Sequence, residues 1–133
     1  MSFLDGLKKR KLVKDWTTIR YKGTIPSYNK IFESGHWRVR HSLTKKFHDV
    51  FRAVFAKELG PRKKKAAAFS IYIFFNTRHD TDNIVGIEKF FTDTLVECGY
   101  VPGDSKEYFR GLVIVPDESM ERGTLDFMIV KHK

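Results

Sequence analysis

At 133 residues, 41% of them hydrophobic and 12 of them Phe, the chain has the material for one domain with an ordinary core. No apolar run approaches the roughly 20 residues of a membrane span, and Lys8, Lys9, Arg10 and Lys11 stand where the apolar region of a signal peptide would form. The single cysteine, Cys98, excludes an internal disulfide. A soluble cytoplasmic protein with no membrane partner is therefore expected.

The net charge of +9 favours a polyanionic partner, and its distribution sharpens the point. Residues 1–65 carry 18 Lys and Arg against 5 Asp and Glu, and the remainder carries 7 against 11. The first half reads as a surface for nucleic acid, the second as a place for cations.

Met1 to Asp15 is a basic arm or short helix, and residues 16–133 are expected to form a single domain. Trp16 to Gly23 alternates as a strand, with Ile19 and Tyr21 inward and Arg20 and Lys22 outward. Thr24 to Lys30 holds Pro26, Ser27 and Asn29 and reads as a loop. In Ile31 to His41, Arg38 and Arg40 alternate with apolar and aromatic neighbours such as Trp37, a composition suited to a nucleic-acid surface.

Ser42 or Thr44 is expected to cap a helix whose apolar face is Phe47, Val50, Phe51, Val54, Phe55 and Leu59. Gly60-Pro61 ends it. Arg62, Lys63, Lys64 and Lys65 follow as a basic run. Ala66 to Phe75 is the strongest strand signal, apolar on both faces and so suited to the middle of a sheet. Ile84, Ile87, Phe91, Leu95 and Cys98 recur at helical spacing, and Gly99 closes that helix. Strands are expected over Tyr108 to Val115 and Thr124 to Val130, the last antiparallel to the one before. The order β-α-β-α-β-β implies an α+β fold: one mixed sheet of about four strands with two main helices packed on it.

The polar turn Arg78-His79-Asp80-Thr81-Asp82-Asn83 joins the central strand to the second helix. Asp80 and Asp82 can converge there on one hard cation, and Asp104 follows the helix on a Pro-Gly turn. On an ideal helix, residues seven and eleven apart return to nearly the same azimuth. Asp82, Lys89 and Asp93 thus share a stripe distinct from the apolar one, with Gly86 leaving it open. Carboxylates alone suit Mg²⁺ or Mn²⁺, and the Cys and His spacing of a zinc site is missing. A metal so held can orient water and stabilise a leaving oxygen in phosphodiester cleavage. Taken as pattern alone, an aspartate at a helix start is more often an ordinary cap.

These residues also resemble a known family. Arg78-His79-Asp80-Thr81-Asp82-Asn83, Thr92-Asp93-Thr94-Leu95, Gly99-Tyr100 and Asp104, with the early Pro26-Ser27-Tyr28-Asn29, are similar in order and spacing to the RusA family of Holliday junction resolvases. The resemblance covers roughly Thr24 to Val130. It implies a Mg²⁺-dependent crossover junction endodeoxyribonuclease of DNA recombination and repair, acting as a homodimer on four-way DNA. It assigns Asp80, Asp82 and Asp104 to metal binding and catalysis and Asp93 to the metal. The family lysine falls on Gly86 when counted from Asp82 and on Lys89 when counted back from Asp93, and the shared azimuth with the acidic stripe favours Lys89. Gly103 stands where the family has a second acidic residue, and the helix is about three residues longer between Asn83 and Asp93. Asn29, Lys30, Arg38, Arg40 and Arg62 to Lys65 are the candidate DNA contacts. The alternatives are a nuclease on other branched or flap DNA, and a DNA-binding protein whose acidic turn is only a cap.

Overall fold

The structure is a computed structural model that describes residues 16–23, 37–60, 68–78 and 81–132, with backbone alone at 16, 37–40, 81 and 82. Six elements follow in order: β1 (Trp16–Lys22), α1 (Trp37–Glu58), β2 (Phe69–Asn76), α2 (Thr81–Glu97), β3 (Phe109–Pro116) and β4 (Thr124–Lys131). This is the expected α+β order. The chain divides into two compact units, one holding the four strands and the other holding both helices. Among the described residues no helix is long and apolar enough to cross a membrane.

In the sheet unit the strand order is β1-β4-β2-β3. β4 lies antiparallel between β1 and β2, while β2 and β3 are parallel. Parallel neighbours need a long connection, and α2 lies within it. The last strand does run antiparallel to β3, as expected, but is not its neighbour, because β2 intervenes. The expectation that Ala66 to Phe75 is central and covered on both faces is met over Phe69 to Phe75 by β2, while Ala66 and Ala67 lie outside the described residues. Phe69, Ile71, Ile73 and Phe75 are buried on one face, beside Ile19 of β1 and Leu125, Phe127 and Ile129 of β4. Phe74, Met128 and Val130 form a second buried cluster on the other face, with Tyr72, Val115 and Met120 packed against it. Asp126, a carboxylate buried in this second face, accepts two hydrogen bonds from the Arg20 guanidinium, at 2.7 and 2.9 Å. A bidentate pair of that kind compensates the lost hydration of the carboxylate.

The helical unit is held by phenylalanines. Phe47, Phe51 and Phe55 recur every fourth residue and so line one face of α1. Phe47 stacks on Phe90 of α2, with ring centroids 5.3 Å apart. Phe91 meets Phe51 and Phe55 edge-on, at 5.3 and 5.0 Å. The predicted apolar faces of both helices are thus the ones that pack. The start of α1 differs from expectation, however. It begins at Trp37, so Ser42 and Thr44 lie inside it rather than capping it. No Gly or Pro interrupts Trp37 to Leu43, and a capping preference worth about 1 kcal/mol does not by itself break a helix whose later turns bury three Phe.

Both helix ends follow the predicted glycines. Gly60 has φ 69° and Gly99 φ 77°, in the left-handed region that glycine enters without penalty. At α2 the Gly99 amide donates to the Val96 carbonyl and the Tyr100 amide to the Leu95 carbonyl, both at 3.0 Å. That pair of bonds is a Schellman cap. It turns the chain sharply and sends the Tyr100 hydroxyl to the end of α1, where it donates to the Gly60 carbonyl at 2.9 Å.

Candidate metal and phosphate site on the second helix

α2 sets the geometry of the site. Ile84, Ile87, Phe91 and Leu95 are fully buried, as the periodicity predicts. Burial is wider than one stripe, for Gly86, Glu88, Phe90, Thr92 and Thr94 are buried too. Val85, Lys89 and Glu97 stay exposed and Asn83, Asp93 and Val96 half-buried, and of these Val85, Lys89, Asp93 and Val96 make one narrow open strip. Lys89 and Asp93 thus share the open strip expected of them, at the azimuth that position 82 also occupies. Gly86 departs from expectation: it is buried and leaves no gap. A helix packed over most of its circumference has little open surface, and position 86 falls at its margin.

Asp104 reaches the site through the Schellman turn. Glu88 lies nine residues before the end of α2, roughly 14 Å down the axis. The seven residues from Glu97 to Asp104 span at most about 25 Å when extended, enough to bring the chain back alongside the helix. It comes close enough for the exposed Asp104 carboxylate to act electrostatically on Glu88.

Glu88 is the residue that the sequence reading missed. It is buried, and its carboxylate accepts a hydrogen bond from the Thr92 hydroxyl one turn on. Burial pushes its pKa above the ordinary 4.5, and Asp93 and Asp104 push it further the same way. The Thr92 hydrogen bond and the Lys89 ammonium oppose the shift. Three carboxylates and one ammonium therefore share one field, drawn from α2 and from the turn beyond it. An i,i+4 Glu and Thr pair was the only signal available in the sequence, and it does not distinguish a buried carboxyl from a surface one.

The raised pKa has a definite consequence. A carboxyl held above its ordinary value favours the fold while protonated, so its contribution is complete below about pH 4.5 and is lost as the pH rises through the raised value. Glu88→Gln keeps the size and hydrogen-bonding capacity and removes the charge. It is expected to raise the melting temperature at pH 7 by roughly 3–6 °C, for about 1 kcal/mol of relieved desolvation. At pH 4 the gain should shrink towards zero. An equal gain at both pH values would mean that the charge of Glu88 is not what costs stability.

The remaining predicted residues divide plainly. Asp80, Asn29, Lys30 and Arg62 to Lys65 lie outside the described residues, as does the arm from Met1 to Asp15. Asp82, Arg38 and Arg40 are placed by backbone, the first in the opening turn of α2 and the other two in the opening turn of α1. Among the described residues no three His, Cys, Asp or Glu side chains form a group able to hold a metal ion. The donors that α2 and its following turn do supply are carboxylate oxygens, which fit Mg²⁺ or Mn²⁺ and not zinc. No model of a known protein family matches this chain, and no characterised protein matches it significantly.

Proposed function

We propose that this protein is a Mg²⁺-dependent endonuclease that cuts branched DNA, resolving four-way junctions in the manner of the RusA family its motifs resemble. The observation that supports this reading is the shared field of Glu88, Lys89, Asp93 and Asp104, which joins the residue after the helix to the acidic strip on it. Asp80, Asp82 and Asp104 would hold the ion, with Asp93 assisting. When bound, Mg²⁺ lowers the pKa of a coordinated water and stabilises the leaving oxygen.

The chain's own residues do the rest. Lys89, exposed on the open strip, binds the phosphate next to the scissile bond and balances the carboxylates around it. The packed side of α2 holds Lys89 and Asp93 in fixed register, so little order has to be gained when substrate arrives. Resolution needs two symmetric cuts, and a two-fold homodimer presents two identical sites. Junction shape and deformability would set specificity, with base contacts secondary.

The test is cleavage of a synthetic four-way junction, a flap and a linear duplex, each with Mg²⁺ and with EDTA. Paired nicks on the junction alone, lost in EDTA, are the expected result. Equal cutting of the flap would make the protein a broader branched-DNA nuclease. Tight binding without any cutting would leave a DNA-binding protein and sink the enzymatic reading.

A further inference from the structure

We propose that the N-terminal half of α1 is a docking surface for the DNA phosphate backbone, with Lys45 and Lys46 at its centre. The proposal rests on the DNA-cleaving reading above and adds to it a surface away from the acidic strip. Between Trp37 and His48 the chain has four Lys and Arg and no Asp or Glu. Two of the four, at 38 and 40, fall in the first helical turn, which contains no acidic residue. Cations there oppose the helix dipole, which favours negative charge at that end.

The C-terminal half of the same helix is built the opposite way. Arg52 pairs with Glu97 of α2 and lies 3.7 Å from Asp49. His48 Nδ1 lies 2.9 Å from a Glu97 carboxylate oxygen. Lys45 and Lys46 are both exposed, and among the described residues no carboxylate forms an ion pair with either. Asp49, one turn on, is turned to Arg52 instead. A lysine that precedes its acid is also the weaker order for a helix pair. Position 38 lies seven residues before Lys45 and hence at nearly the same azimuth of the helix, two turns away.

Polyanion binding neutralises such lysines by releasing counterions. An anionic membrane fits less well. A helix that lies on a bilayer needs an exposed apolar face beside its lysines. The apolar face of α1, Phe47, Phe51 and Phe55, is fully buried.

The experiment is fluorescence anisotropy of a labelled four-way junction without divalent metal, across a salt series, for wild type, Lys45→Ala/Lys46→Ala and Lys57→Ala. Each lost phosphate contact lowers the slope of log affinity against log salt by about 0.9, so the double variant should lose about 1.8 of slope. Its affinity at 0.1 M salt should fall between about 10- and 60-fold. Lys57→Ala, exposed at the other end of α1, should stay within about twofold of wild type on the same counterion argument. Circular dichroism checks that the double variant keeps its helices. Unchanged affinity and slope in the double variant, with wild type still cutting junctions, would overturn this proposal alone. A wild-type protein that binds no DNA would overturn both readings, as would binding to anionic phospholipid vesicles in place of DNA.

Discussion

Asp104→Asn is expected, on the Mg²⁺-dependent reading proposed above, to lower junction cleavage by at least about 10²-fold, with the melting temperature little changed. The size follows from what a carboxylate ligand does. Removing it weakens the hold on an ion that contributes several kcal/mol of charge stabilisation in the transition state, and each 1.36 kcal/mol is tenfold in rate. The small stability effect follows from exposure. The Asp104 side chain is open to solvent, and surface substitutions of this kind usually stay within about 0.5 kcal/mol. Removing its charge also relieves Glu88, whose pKa it raises. The measurement is single-turnover cleavage at saturating junction, with a thermal melt on the same samples. A rate within about threefold of wild type, far short of the loss expected for a ligand, would take Asp104 out of the metal set. That would remove the link between the turn after α2 and the strip on it. Comparison with Glu88→Gln separates two roles for negative charge here: if Asp104 acts only through the local field, both variants should weaken cleavage to a similar extent. If it binds metal, its loss should be far larger, and raised Mg²⁺ should partly restore it.

The elements were readable where the information is local. The Ile84-Ile87-Phe91-Leu95 stripe, the Phe47-Phe51-Phe55 stripe, the doubly apolar β2 and the glycine caps at Gly60 and Gly99 all appear as predicted, because periodicity and φ preference act within a few residues. Strand order was not readable. Nothing near Thr124 says that β4 will lie between β1 and β2, since that pairing joins segments more than 45 residues from it in sequence. The site shows the same division. The open strip of Lys89 and Asp93 follows from helical geometry. The burial of Glu88 does not, because a glutamate between Ile87 and Lys89 carries no mark of what surrounds it. Ser42 and Thr44 misled for a related reason: a capping residue is a weak local preference, and the packing of the turns that follow it decides where the helix begins.

Phe91→Ala should be among the most destabilising single changes in the helical unit, at about 3–5 kcal/mol. Phe91 is completely buried and meets both Phe51 and Phe55 edge to face. Truncation therefore removes the transfer energy of one ring, leaves a cavity against two others, and forfeits two aromatic contacts of about 0.5–1.5 kcal/mol each, which overlap with the first two terms. The rings that remain belong to a regular helix whose side chains sit four residues apart, so they have little freedom to close the gap. Set against a usual total of about 5–15 kcal/mol, the loss should lower the urea midpoint sharply with the slope of the transition unchanged. Phe91→Leu, which refills most of the volume without the ring edges, should recover more than half of the deficit. Cys98→Ala, at a half-buried position on the same helical stripe, serves as a mild reference. A Phe91→Ala loss no larger than that of the reference would mean that the two helices are not held together by this cluster. In that case the register of α2, and with it the placing of Lys89 and Asp93 on the open strip, would need another cause.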